Sequence, residues 1–188
     1  MSQPPLAITD QQISQLQHSL ANVPITDKKQ LYQAVVNAPF NDRLLTATID
    51  LGIIVLLLVD TSTNMLDRIA LSDTEHAHNA VRVSARPFHE IHIPMDTKNN
   101  VLVNVIKDDA PQVVIDWQYL FTPILSPVDA RKNQSAASIE CSLVWPIRAG
   151  NGGALIFSFY QPPAYISDEH KIFAKKYAAI VQDCLQAI

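Results

Sequence analysis

The stretch that decides the fold is residues 138–160, SIECSLVWPIRAGNGGALIFSFY. Three of the chain's four glycines fall in it, and Asn151-Gly152 is a strong hairpin dipeptide because both residues tolerate positive φ. Ile139, Cys141, Leu143, Trp145 and Ile147 alternate on the first flank, and Leu155, Phe157 and Phe159 alternate on the second. The side-chain period of a strand is two, so these sets share a face only if the loop holds an odd number of residues, three or five. The opposite face then carries Glu140, Ser142, Ser158 and Tyr160. The expectation is a hairpin with one face packed on helices and the other polar.

Working outward, Ser167 is placed to cap a helix whose first turn holds Asp168 and Glu169, where the helix dipole favours negative charge. Ile172, Phe173, Tyr177, Ile180, Val181, Cys184, Leu185 and Ile188 recur at helical spacing and predict a helix over 167–188. Upstream, the unbroken apolar run at 51–59 reads as a central strand covered on both faces, with turn residues at 60–64 and a partner strand at 65–71. Thr9 and Gln12 have capping-box spacing, and Ile13, Leu16 and Leu20 follow, which predicts a helix over 9–22. A second helix starts at Thr26 or Asp27 and ends before Pro39, and 41–49 add one more turn. Residues 72–100 are polar and hold four of the six histidines, with a short alternation at Ile91 and Ile93. Helical spacing at 101–106 and a short strand at 113–116 follow, and 117–136 reads as one long binding loop.

With 48% apolar and 17% charged residues over 188 positions, the chain has the composition of one globular core. The net charge of −4 comes without any basic cluster, which argues against nucleic acid and against a membrane-surface helix. The longest apolar run is too short for a bilayer, which takes about 20 residues. Two cysteines, Cys141 and Cys184, are too few for a disulfide scaffold and point to a reducing, cytoplasmic setting.

Helices, hairpin, polar middle, second hairpin and closing helix describe an α+β domain. This order resembles a GAF domain, the small-molecule-sensing module of many signalling proteins. The residues that carry the resemblance are 52–60, 100–116, the hairpin at 138–159 and the Tyr165-Ile-Ser-Asp-Glu helix start. The resemblance implies a central antiparallel sheet with the N- and C-terminal helices on one face. It sets a domain over 26–188 behind a helix and linker at 1–25, with a ligand bound near the polar middle. Motifs of particular family activities are not met. Ala164 stands where cyclic-nucleotide binders carry Phe, no Cys-His pair offers a bilin attachment, and free methionine sulfoxide reductases use three cysteines where this chain has two. On that ground, and because no nucleophile elbow or phosphate loop occurs, the chain is not expected to be an enzyme.

Trp117, Tyr119 and Phe121 alternate and, with Arg82, Arg86, Phe88 and His89, are suited to a pocket for a planar or anionic ligand. The candidate site lies between the sheet and 72–136, with Arg86, His89, Trp117, Tyr119, Glu140, Ser142, Ser158 and Tyr160 as its residues. His76 and His78 share a face only if extended, and His89 and His92 only if helical, so no metal and no cofactor is expected. Two functional readings follow: a sensory domain binding an unidentified small molecule, or a degenerate GAF-like domain kept for dimerisation. Either way the terminal helices are expected to form a homodimer. The apolar stripe running to Ile188 without a Gly or Asn cap suggests a fragment of a longer chain, with a C-terminal output domain such as a kinase or nucleotide cyclase.

Overall fold

A computed structural model describes residues 7–24, 27–160 and 166–187. Thr26, Ala164, Tyr165 and Ile188, all used above, lie outside the described residues. Among the described residues six strands form one sheet: β1 (Leu51–Asp60), β2 (Met65–Leu71), β3 (His92–Pro94), β4 (Gln112–Val114), β5 (Cys141–Ile147) and β6 (Gly153–Phe159). Their order is β3-β2-β1-β6-β5-β4, and every neighbouring pair is antiparallel.

From Cys141 to Phe159 the hairpin takes the register its alternation requires, while Ile139, read on the same face as Cys141, lies ahead of β5 and packs instead with Ile53, Val144 and Ile156. Cys141 pairs with Phe159 and Ile147 with Gly153, which leaves 148–152, five residues, in the loop. Gly150 and Gly152 both have positive φ there. A Cβ on Gly153 would lie 2.2 Å from the Leu57 carbonyl oxygen, so only glycine lets β6 begin this close to β1.

Among the described residues eight α-helices flank the sheet: α1 (Asp10–Ala21), α2 (Lys28–Asn37), α3 (Arg43–Thr48), α4 (Glu75–Val83), α5 (Val101–Asp108), α6 (Gln118–Phe121), α7 (Pro127–Ala136) and α8 (Asp168–Gln186). The capping box at Thr9 and Gln12 opens α1, and Asp27 caps α2. Leu16 and Leu20 of α1, Leu31 and Val35 of α2, and Phe173, Tyr177 and Val181 of α8 bury one sheet face with Ile54, Leu56, Leu143 and Phe157. The terminal helices thus share a face, as the resemblance implied. No helix among the described residues is long and apolar enough to cross a membrane.

The second face differs from its sequence reading. It is not a polar surface: Ile53, Val55, Leu57, Val144 and Ile156 form a second core with residues of α4, α5, α6 and α7, and Ser142 and Ser158 are buried within it. The segments read as unassigned polar chain and as one binding loop are largely helical. Thr74 caps α4 through Ala77, and Ser126 caps α7 ahead of Pro127 and Asp129. Both helices carry few large apolar residues, so periodicity is silent where caps speak.

One irregularity aims a charge inward. Leu57 pairs with Arg68 but Leu56 pairs with Ala70, so Ile69 is an extra residue in β2. Such a bulge reverses which side chains meet each face. Leu66 and Arg68 therefore face the second core, while Ala70 joins the first.

Candidate functional site

On the second face, Ile53, Val55 and Ile156 form the floor of a cavity of about 20 Å³. Leu71, Ala80, Val81, Ser84, Phe88, Trp117, Phe121 and Asn133 wall it, and Arg68 and Ser158 also line it. That space is roughly what one water requires.

Its walls are tied by hydrogen bonds between elements. Trp117 Nε1 donates to Ser142 Oγ at 3.0 Å, and Ser142 and Ser158, a cross-strand pair, share a bond of 2.8 Å. The Trp117 backbone donates to Gln134 Oε1, and Gln134 Nε2 donates to the Ile115 and Ile139 carbonyls, which fixes α7 against the strand ends. Asn133 Nδ2 donates to Ser84 Oγ at 3.1 Å, joining α7 to the end of α4. His76 stacks on Tyr160 at 5.1 Å, with its Nδ1 2.7 Å from the Ala137 carbonyl.

Arg68 is the exception to this tidy pairing. Its guanidinium carbon lies 4.1 Å from the Phe88 ring centroid and 5.0 Å from that of Phe121, within cation–π range. Its Nε is buried without a hydrogen-bond partner, as is Asn133 Oδ1. Burial pushes the guanidinium down to about 9, still above neutrality, so the charge persists. Among the described residues no acidic side chain lines the cavity.

The sequence candidates divide. Trp117, Ser142 and Ser158 are brought together at the cavity wall. Tyr160 is half-buried, stacked on His76 and not part of the lining, its hydroxyl pKa raised by burial and then by the Asp50 charge. Arg86, His89, Tyr119 and Glu140 are exposed and do not line it. Arg68, Asn133 and Ser84 escaped sequence reading. A charged residue inside a short strand was the available signal for Arg68, and the cap of α7 was the signal for Asn133.

The histidines are dispersed. His78 pairs with Asp73, and His92 pairs across strands with Asp67, each at 2.7 Å. No group of three or more His, Cys, Asp or Glu among the described residues could hold a metal. Cys141 sits in the first core, its thiol pushed up to about 11 by burial and then by the Glu140 charge. Cys184 is half-buried on α8, and its thiol too is pushed up by burial.

No family model matches the chain, and no curated protein matches it. Solved structures do. The GAF domain of a phosphoenolpyruvate-protein phosphotransferase from Coxiella burnetii superposes with a TM-score of 0.63 at 11% identity, over 94% of this chain and 92% of its own. The fold is that of GAF domains. Part of a methyl-accepting chemotaxis protein, its residues 122 to 287, also matches this GAF-like chain, with a TM-score of 0.56 at 13% identity, covering 93% of this chain and 94% of its own. So does a free methionine-R-sulfoxide reductase from Neisseria meningitidis in complex with its substrate, with a TM-score of 0.59 at 14% identity over 100% and 97%. That last match corrects the expectation drawn from motifs: enzymes share this fold over the whole chain, so missing family motifs do not make a GAF-like chain a non-enzyme.

Proposed function

We propose that this chain is a regulatory GAF-like domain that binds a small molecule on the sheet face covered by α4, α6 and α7. The observation that carries the reading is the pair of unsatisfied buried atoms, Arg68 Nε and Asn133 Oδ1, lining one cavity. Buried polar groups in native proteins are hydrogen-bonded in the great majority, and exceptions concentrate where a ligand, ion or water completes the set. Native mass spectrometry of the purified chain tests it: a small-molecule mass that leaves on denaturation is expected. A bare chain that no member of a metabolite panel stabilises overturns it.

The second reading, a domain kept for dimerisation, is favoured by the cavity's size, since Arg68, Phe88, Trp117 and Phe121 crowd it. Homodimerisation through the terminal helices, a cytoplasmic setting and coupling to an output domain such as a kinase or nucleotide cyclase belong to both readings. The α8 stripe spends most of its apolar surface on its own sheet, with Phe173, Tyr177, Ile180 and Val181 buried, Cys184 and Leu185 half-buried and Ile172 exposed. Sedimentation at micromolar concentration is expected to give a dimer, and a strict monomer removes the second reading.

A further inference from the structure

We infer that the molecule taken by this cavity is a small monocarboxylate that also bears a hydrogen-bond donor, its carboxylate on the Arg68 guanidinium and its donor on Asn133 Oδ1. The inference rests on the proposed reading of the cavity as a ligand site.

The charge comes first. Among the described residues that line the cavity Arg68 is the one ionisable side chain, and it is half-buried with its Nε shielded from water, so that end of the guanidinium has no acidic partner. Taking a charge out of water is costly unless it is paired. The Phe88 and Phe121 rings attract the cation but accept no conventional hydrogen bond, so the buried Nε–H remains available. A carboxylate matches the planar fork of a guanidinium and can take two parallel N–H bonds. A phosphate dianion would bring a second negative charge that no other cation in the lining balances.

The polar partners refine the choice. Trp117 donates to Ser142, and of the two ways in which Ser142 and Ser158 can share their bond, the one with Ser142 as donor leaves the Ser158 hydroxyl proton for the cavity. It offers the carboxylate one more donor. Asn133 Oδ1 is an acceptor, and a carboxylate cannot serve it. A hydroxyl or amino group on the same molecule can, and a 2-hydroxy acid is the simplest compound with both.

Entry is the remaining condition. The present space suits about one water, so a ligand must displace part of the wall. Leu71, Val81 and Phe88 separate the cavity from an open groove between α2, β2 and α4, and Arg82 stands on the rim of that groove. The groove also holds Asp73, which pairs with His78, so an anion arriving there has Arg82 as the cation to approach before the Phe88 ring yields.

The test uses the full chain with lactate, acetate, lactamide and inorganic phosphate at fixed ionic strength, read by thermal shift and calorimetry. Lactate is expected to stabilise the fold saturably, acetate less, and lactamide and phosphate not at all. Arg68→Met is expected to weaken lactate binding by roughly 10- to 100-fold, the worth of a hydrogen-bonded charge. Asn133→Leu is expected to erase the advantage of lactate over acetate. Should Arg68→Met not fold, Arg68→Lys keeps the charge but loses the fork and is expected to weaken lactate in the same direction. Lactamide binding in place of lactate overturns the carboxylate while leaving the cavity a ligand site, and phosphate binding overturns the monoanion. Lactate binding untouched by either Arg68 variant overturns the placement. If neither carboxylate binds, the inference falls, and native mass spectrometry separately decides the reading beneath it.

Discussion

The two faces of the sheet are built to different rules. On the terminal-helix side, Phe157, Phe173 and Tyr177 are fully buried and meet ring to ring, with centroids 5.6 to 6.3 Å apart. The buried hydroxyl in that cluster, Tyr177 Oη, donates to the Val35 carbonyl at 2.5 Å. On the α4–α7 side, Asn133, Gln134, Ser142 and Ser158 are buried and Arg68 is half-buried, and two polar atoms, Arg68 Nε and Asn133 Oδ1, find no partner. A face that only had to hold the fold together would gain nothing from Arg68 Nε and Asn133 Oδ1, which are left without a partner. Local violations of good packing concentrate where a protein does something else with the space.

Substitutions on the two faces should therefore differ in size, and at Arg68 in sign. The largest effect is expected on the terminal-helix side. Phe157→Ala removes a ring packed against Phe173 and Tyr177 and should cost about 3–5 kcal/mol in urea unfolding. A cost below about 1 kcal/mol would mean this face is as loosely packed as the other.

Next in size is the hydrogen-bonded wall of the cavity. Ser142→Ala strands the buried Trp117 Nε1 and should destabilise by about 1–3 kcal/mol, visible in the same titration. Arg68→Met, in contrast, replaces an unpaired cation by an apolar chain of similar length, and should stabilise by about 1 kcal/mol. A loss of stability in Arg68→Met would show that the two Phe rings already compensate the charge, and the contrast between faces would shrink accordingly.

How much of this was legible depends on which force wrote each element. The 138–160 hairpin, β1 and α8 announce themselves because burial on a sheet or beneath a helix imposes a period that the sequence must keep. That the loop is odd, three or five residues, followed from Ile147 and Leu155 having to share a face, and the pairing makes it five. Helices α4 and α7 hid because their inward positions are filled by Ala77, Ala130, Asn133 and Gln134, which carry little hydrophobic signal. Their starts were still written, as Thr74-Glu75 and Ser126-Pro127. The supposed polar face misled for a related reason: Ser142 and Ser158 are polar as letters but are buried because they bond each other and Trp117. Arg68 was out of reach of alternation, since the extra residue Ile69 changes the phase of β2 and only the pairing with β1 reveals it.

The smallest expected effect concerns pH and belongs to the terminal-helix side. His170 is buried near the start of α8, its ring edge-on to Phe159 at 4.7 Å, and Nδ1 accepts from the Ser167 backbone at 3.1 Å. Burial lowers its pKa, opposed by a hydrogen bond to the Ile49 backbone and by the Asp50 and Glu169 charges. The helix N-terminus adds to the lowering, because its dipole disfavours a cation. A base with a folded pKa below its unfolded value is neutral in the fold and binds more protons once unfolded. Its contribution is therefore complete above the unfolded value, near 6.5, and is lost as pH falls through the folded one. His170→Gln keeps a capping partner at the same helix position but cannot titrate. Urea midpoints at about pH 7.5 and about pH 5.5 should fall less in the variant than in the parent, since this step crosses the ordinary histidine range. Arg68 stays charged at both values, so Arg68→Met should leave that difference unchanged. If His170→Gln loses as much stability as the parent over the step, the acid sensitivity lies elsewhere and the packing around His170 is not what holds it neutral.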